Sequence, residues 1–112
     1  MDNKWLTIET EGQEIVLKKC KKEAEGIVIV PDGVTIINVY AFMGCKDITS
    51  IKLPNSLKKI YGRAFARCSN LTSVNIPLHV ERIGKCAFRE CKKLSSINIP
   101  DRTSVENGAF SG

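Results

Sequence analysis

Three cysteines recur at a constant interval, with Cys45, Cys68 and Cys91 each 23 residues apart. Thiols spaced by one structural unit suggest a disulfide, a metal site or core packing. Stacked units would place neighbouring Cα atoms about 5 Å apart, within the disulfide range, but parallel Cβ directions suit that bond poorly, and structural zinc needs four close ligands. Because cysteine also packs as a small apolar residue, we expect a core column of free thiols. Cys20 and Cys86 lie outside this column, and the variable position of Cys86 suggests access to solvent.

The residue patterns typical of an enzyme do not occur in the sequence. The single histidine, His79, lies in a segment where the equivalent residues of other units are Gly33, Ser56 and Arg102. A general base needs an acid or nucleophile within hydrogen-bond reach, and this register supplies none. The carboxylates do not recur with the interval, and there is no glycine-rich phosphate loop or nucleophile elbow. We therefore expect a non-enzymatic protein without catalytic residues, cofactor or metal, and take His79 as an exposed loop residue.

The charge of the chain is uneven along its length. It carries 17 Lys and Arg against 12 Asp and Glu, a net charge of +5, and residues 45–93 hold eleven of these cations against three anions. Stacking of units would align them into a basic stripe: Lys58, Lys59, Arg63, Arg67, Arg82, Lys85 and Arg89. Such a stripe either keeps a face in solution or attracts acidic proteins, sulfated sugars or nucleic acid. With only Tyr40 and Tyr61 available for base stacking, nucleic acid is disfavoured; the solvated face is the favoured interpretation, and an acidic host or matrix protein is the leading partner among the alternatives.

The same interval governs the elements that must position these side chains. Prolines recur at Pro31, Pro54, Pro77 and Pro100, and Ala-Phe pairs recur at Phe42, Phe65, Phe88 and, after 22 residues, Phe110. The unit reads A-F-x-x-C-x-x-L-x-x-I-x-I-P-x-x-V-x-x-I-x-x-x, and a fixed period of this size predicts a solenoid of about four coils. I-x-I predicts a strand that the proline ends, V-x-x-I a second short strand, and A-F-x-x-C a short helical or 3₁₀ turn.

The predicted I-x-I strands place small polar side chains on their outer face. Alternation directs two columns outward, formed by Ser50, Lys52, Ser73, Asn75, Ser96 and Asn98. A rigid face of this kind can bind a partner protein at little ordering cost. The alternative is that these side chains only solvate the sheet, because Trp, Tyr and Arg anchors are missing and the area is small beside the roughly 800 Å² per partner of a standard interface.

The repeat closely resembles the BspA-type leucine-rich repeat of bacterial surface proteins. The resemblance covers residues 27–112 and rests on Ala41-Phe42-Met43-Gly44-Cys45, Ile48, Ile51, Leu53-Pro54, Leu57, Ile60 and their equivalents in the following units. It implies a right-handed leucine-rich-repeat superhelix, a protein-binding or adhesion role without catalytic residues, and a cell-surface or secreted location. The sequence shows no signal peptide, so a cytoplasmic location stays open, and no apolar run reaches the roughly 20 residues of a membrane helix.

One departure concerns the residue after the V-x-x-I isoleucine, which in that family is often glycine. Gly84 agrees, whereas Asn38, Tyr61 and Glu106 stand at the equivalent positions. Asparagine tolerates a left-handed backbone, and Gly62 is expected to supply the turn one residue after Tyr61.

Residues 1–26 do not follow the period and form a separate N-terminal segment. Two strand-like runs, 5–8 and 15–17, flank Gly12 and predict a β-hairpin. A solenoid needs a terminal cap, since its first coil would otherwise expose apolar surface. Ile27 and Ile29 take outward positions on the first repeat strand, so we expect the hairpin to cover them.

The last repeat unit presents an open side. The last full strand is expected at 96–99, where Leu94, Ile97, Ile99 and Phe110 would show part of the core to water. Exposed strand edges and apolar ends are pairing sites unless they are covered. Two hypotheses follow: the chain is part of a longer array, or two copies form a homodimer through this end. A structural, self-associating repeat protein is therefore the alternative to an interaction module.

Overall fold

The computed structural model describes residues 4–95 and 97–112, and its β-strands wind into a solenoid of about four turns. The strands are short because each coil turns after a few residues. In chain order they are β1 (Leu6–Glu11), β2 (Glu14–Cys20), β3 (Gly26–Ile29), β4 (Ile36–Ile37), β5 (Ile48–Lys52), β6 (Lys59–Ile60), β7 (Ser73–Val74), β8 (Arg82–Ile83) and β9 (Ser104–Val105). They form a six-stranded sheet in the order β1-β2-β4-β6-β8-β9 and a three-stranded sheet in the order β3-β5-β7.

The six-stranded sheet is built from the V-x-x-I segments and the N-terminal hairpin. Strands β1 and β2 pair antiparallel around Gly12, whose φ of 63° favours glycine. β2 then pairs in parallel with β4, so that Leu17 lies beside Ile37, and the ladder continues through Ile60 and Ile83. The predicted hairpin is present. Its second strand continues the ladder of the repeats, and the domain boundary at residues 26 and 27 stays a prediction.

The hairpin does not cover the residues that it was expected to cover. Ile27 and Ile29 lie on β3, in the other sheet, and their side chains remain 61% and 41% exposed. The reason is topological: β2 carries the apolar pair Val16 and Leu17, which matches the V-x-x-I ladder of β4. The expectation of a covered β3 face is therefore wrong.

The three-stranded sheet contains the predicted I-x-I strands. Parallel pairing aligns Ile27 with Ser50 and Ser73, and Ile29 with Lys52. β7 is short because the Asn75 side chain takes over the next ladder position, as described below for the groove. In the last unit, residues 97–99 form no strand, contrary to expectation, and Ser96 lies outside the described residues.

The A-F-x-x-C segments are series of single turns. Bonds such as Met43 N–H to the Tyr40 carbonyl (3.1 Å) close turns of three residues, as a 3₁₀ helix would. In each coil, two residues interrupt this pattern with a left-handed backbone: the residue directly before the Ala-Phe pair and the residue two positions after its phenylalanine. Their φ values lie between 56° and 90°, at Tyr40, Arg63, Cys86 and Gly108 and at Gly44, Arg67, Glu90 and Gly112. Hence the described residues contain no helix, and the expected helical or 3₁₀ turn takes the form of single 3₁₀-type turns.

Gly84 is required for a close approach of two coils, and the left-handed turn that was expected of Gly62 does not form. Neither Gly84 nor Gly62 has a positive φ. A Cβ atom on Gly84 would lie 2.6 Å from the backbone nitrogen of Gly62, far inside van der Waals contact. The Gly84 backbone donates to the Ile60 carbonyl at 2.8 Å, which holds the coils together at this point.

The core is a continuous column between the two sheets. The rings of Phe42, Phe65 and Phe88 are buried and nearly parallel, with centroids 5.0 Å apart, and Phe110 follows at 5.3 Å. Aliphatic residues of both sheets surround this stack. Phe110 is 40% exposed, so the column is open at the last coil. Within the described part of the chain, no helix is long and apolar enough to cross a membrane.

Candidate binding groove

A groove of about 660 Å³ lies along the outer face of the three-stranded sheet. Outward side chains of β5 and β7 line it together with aliphatic residues, most of which belong to the core. The lining residues are Ser50, Ile51, Lys52, Leu53, Ser73, Val74, Asn75, Ile76, Ile97 and Asn98. Five of the six residues predicted to bind a partner line this groove, and the sixth, Ser96, is outside the described residues.

The serines of the groove bond to each other. The Ser50 and Ser73 hydroxyls are 2.9 Å apart on neighbouring strands, and this hydrogen bond is exposed to solvent. Lys52 follows on the same face of β5, is exposed, and forms no ion pair within the described residues. Parallel pairing of β3, β5 and β7 therefore places one free cation beside a hydroxyl pair.

Asn75 has a structural role that the sequence did not reveal. Its amide oxygen accepts from the Leu53 N–H at 2.8 Å, and its amide nitrogen donates to the Leu53 carbonyl at 3.0 Å. The side chain thus replaces the backbone pairing that would extend β7. Asn98 on the next coil is exposed and makes no hydrogen bond within the described residues, so its amide is available to a ligand.

The basic stripe lies outside the groove and is partly neutralised. Ion pairs join Arg67 to Glu90 at 3.1 Å, Arg82 to Glu106 at 3.7 Å and Arg89 to Glu90 at 4.0 Å. All are solvent-exposed, and such pairs contribute little to stability.

The other four members of the stripe form no ion pair within the described residues, and of these Lys58 and Lys85 are exposed. Lys59 lies beside Arg82 in the β6–β8 ladder, whereas Arg63 lies on a turn. The structure therefore separates the stripe into isolated cations and ion pairs.

All five cysteines are free and buried in the structure. The Cys68 thiol donates to the Phe42 carbonyl at 3.1 Å, and the Cys91 thiol donates to the Phe65 carbonyl at 3.0 Å. The neighbouring Cys91 thiol, together with burial, raises the pKa of the Cys68 thiol. The column therefore packs in the core and links each coil to the one before it.

Two further cysteines differ from expectation. Cys86 is only 5% exposed, because its left-handed turn directs the side chain towards Gly108. Cys20 is also buried, at the end of β2, and the neighbouring Cys45 thiol together with burial raises the pKa of its thiol. The irregular spacing of Cys20 concealed that it joins the column.

The structure brings no catalytic or metal-ligating set together in its described part. His79 is exposed on its loop, as expected. No group of three or more His, Cys, Asp or Glu side chains is arranged to hold a metal ion among the described residues. Sequence analysis noticed the apolar outward positions of Ile27 and Ile29 but assigned them to contact with the hairpin, whereas the structure leaves both side chains exposed.

Solved structures of bacterial leucine-rich repeat proteins share this fold. A leucine rich cell surface protein from Faecalibacterium prausnitzii superimposes with a TM-score of 0.91 at 27% identity, over 100% of this chain and 30% of its own. A leucine-rich repeat protein from Bacteroides ovatus gives 0.83 at 30% identity, over 100% and 33%. The Treponema pallidum leucine rich repeat protein gives 0.72 at 20% identity, over 99% and 66%, which shows the fold alone.

The chain corresponds to just under two thirds of the T. pallidum protein and to about a third of the other two. No curated protein is similar enough to count as a relative. The BspA type leucine rich repeat region, in six copies, matches residues 16–112 and so begins within β2. This match covers the ladder of the second hairpin strand, all later coils and the groove. The chain therefore belongs to the BspA type leucine-rich repeat family.

Proposed function

We propose that this chain is a non-enzymatic protein-interaction module that binds a partner protein in the groove of the three-stranded sheet. The observation that carries the proposal is the position of the groove, which is lined by five residues predicted from sequence alone. Ser50, Lys52 and Ser73 lie on strands that are fixed by parallel pairing, so binding to them would cost little ordering free energy. Adhesion at a bacterial surface is the setting we propose, because the F. prausnitzii protein is described as a cell surface protein.

The test is capture of proteins from host-cell and matrix extracts by the immobilised chain. Ser73→Trp would fill the groove with a bulky ring, whereas Leu78→Trp places the same ring on an exposed loop outside it. We expect wild type and Leu78→Trp to retain the same protein and Ser73→Trp to lose it. Retention by all three variants would contradict binding in the groove.

Charge reversal of Arg63 and Arg67 separates the groove from the basic stripe. Both side chains lie outside the groove, and Arg67 already pairs with Glu90. Binding in the groove should survive the reversal. Loss of a salt-sensitive partner on reversal would instead place an acidic protein on the stripe.

We propose self-association as a second candidate function, supported by exposed apolar residues at the last coil. Val105 is 42% exposed and Phe110 is 40% exposed, while Leu94, Ile97 and Ile99 are only partly buried. Two copies meeting through this side would cover these residues, as in most homodimers.

Light scattering coupled to size exclusion, from micromolar to near-millimolar protein, tests this candidate. We expect the mass to rise above 12.4 kDa with concentration. Ile99→Lys should restore the single-chain mass, and Lys58→Glu on another face serves as its control. A constant single-chain mass in the wild type, or a dimer that survives Ile99→Lys, would reject this interface.

A further inference from the structure

The polar groups of the groove are largely occupied by partners within the protein. Ser50 and Ser73 bond to each other, and both polar atoms of the Asn75 side chain bond to Leu53. A ligand that competed for these groups would have to break hydrogen bonds that the protein already makes, so it would gain little net free energy from them. The recognition capacity of this face must therefore come from its other side chains.

An apolar pair borders the groove at its N-terminal side. Ile27 precedes Ser50 in one column, and Ile29 precedes Lys52 in the other, because β3 pairs in register with β5. Their exposed fractions, 61% and 41%, are the result of the hairpin joining the other sheet. Two exposed isoleucines on a rigid strand offer a contact surface for an aliphatic side chain.

Among the described residues that line the groove, Lys52 is the only charged one. It forms no ion pair within the described residues, and no carboxylate lines the groove beside it. The net charge of the chain, +5, adds a long-range attraction for an acidic partner. Charge complementarity therefore requires an anionic group of the ligand opposite Lys52.

We propose that the groove recognises an extended acidic segment of a partner protein, in which an aliphatic residue packs on Ile27 and Ile29 and a carboxylate two residues away pairs with Lys52. The proposal rests on the function proposed above and specifies its partner. Neighbouring strands lie about 4.8 Å apart, and alternate side chains of an extended peptide lie about 6.8 Å apart. The flexible Lys52 stem spans this difference.

The amide of Asn98 supplies a further contact at the far side of the groove. It is exposed and has no partner in the described part of the chain, so it can bond to the backbone of a peptide that continues past Lys52. The order along the groove is thus apolar pair, cation, amide. A segment with an aliphatic residue, a carboxylate and then any residue with free backbone groups fits this order.

A displayed library of random heptapeptides, selected against the immobilised full chain, tests the proposal. We expect enrichment of peptides with Leu, Ile or Val two positions from Asp or Glu. Selection against Lys52→Glu should reverse the charge preference to Lys or Arg, while Lys58→Glu, outside the groove, should leave it unchanged. Lack of enrichment, or an acidic preference that survives Lys52→Glu, would overturn the inference.

Titration of one selected peptide provides a second measurement. Lys52→Glu should weaken its binding by about tenfold, because the reversal replaces an attraction with a repulsion. The double variant Ile27→Ser, Ile29→Ser should weaken binding to a similar extent without loss of fold, since both side chains are exposed. Unchanged affinity in either variant contradicts the proposed contact.

The two proposals fail in different ways. If Ser73→Trp abolishes capture of a protein from extract but the library shows no acidic and aliphatic preference, the groove binds a partner of another chemistry. The function then stands and this inference falls. If the library shows the preference but Ser73→Trp retains the captured protein, the groove recognises the peptide while that protein binds elsewhere.

Discussion

The aromatic rings at the centre of the coils connect each repeat to the next. Phe65 is fully buried between two parallel rings, each 5.0 Å away, and its equivalent Phe110 is stacked on one side only. Offset stacking adds about 0.5–1.5 kcal/mol to the burial of each ring. The free energy contributed by a phenylalanine should therefore depend on its place in the column.

Truncation of two equivalent rings tests this dependence. Phe65→Ala should lower the free energy of unfolding by about 3–5 kcal/mol, as other buried phenylalanine truncations do. Phe110→Ala should cost clearly less, because that ring is 40% exposed. Urea unfolding followed by circular dichroism measures both. A change for Phe65→Ala within about 1 kcal/mol would contradict a core of stacked coils.

The cysteines should be protected from modification in the folded state. All five are buried, and for Cys68 a raised pKa also keeps the thiol protonated and poorly nucleophilic. We expect slow alkylation of every thiol in native protein at pH 8 and fast alkylation in denaturant, followed by intact mass. Fast native labelling of Cys86 would show that its turn opens. A mass two units low without reductant, mapped to two cysteines of the column, would show that they oxidise.

At the scale of elements, the period of the sequence predicted the strands but not all of their partners. The pairs β4–β6, β6–β8 and β5–β7 fall in the register that the 23-residue spacing requires, since parallel pairing repeats the same residue in each coil, whereas the last I-x-I segment forms no strand. The hairpin breaks this period, because Leu17 and its ladder neighbour Ile37 are 20 residues apart. The spacing therefore did not show which sheet the hairpin joins, and the expectation that the hairpin covers Ile27 and Ile29 was wrong.

For the groove, too, the sequence predicted some features of the structure and not others. Alternation along a strand was sufficient to predict which side chains point outward, including Ser50, Lys52 and Ser73. It could not show that the Asn75 amide bonds to the Leu53 backbone, because that contact depends on where the neighbouring coil ends its strand. Likewise, the left-handed turns of Arg63 and other non-glycine residues have no composition signal.

The close contact between neighbouring coils at Gly84 predicts that a larger residue there lowers the stability of the protein. Gly84→Ala should destabilise the protein by about 1–3 kcal/mol, the usual cost of inserting an atom into a packed interface. The new Cβ would lie 2.6 Å from the backbone of Gly62, which cannot move as a side chain can. Thermal unfolding measures the effect.

Gly62→Ala is the matched control for this substitution. Its Cβ would meet the nearest atom, the Lys85 carbonyl oxygen, at 3.2 Å, so a small shift would relieve the contact. We expect its loss of stability to be well below that of Gly84→Ala. Equal effects of the two substitutions would indicate that the coils adjust freely at this point.

At the scale of the whole molecule, the two ends of the solenoid are unequal. The hairpin extends the ladder at the N-terminal side, where Leu17 is buried. At the other side, Val105 and Phe110 are both about two fifths exposed. In a solenoid each coil contacts only its neighbours, so stability is a sum of local terms and the less covered end opens first.

Amide hydrogen exchange can measure the difference in local stability between the two ends, because each coil has one equivalent ladder hydrogen bond. The amide groups of Asn38, Tyr61, Gly84 and Glu106 donate to the isoleucine or leucine carbonyl of the preceding coil at 2.8–3.0 Å. We expect protection to be highest at Tyr61 and Gly84 and lowest at Glu106, whose coil has a neighbour on one side only. Phe110→Ala should reduce protection at Glu106 alone, whereas Phe65→Ala should reduce it at all four. Equal protection of the four amides would mean that the coils open only together, and that the exposed end contributes no independent motion.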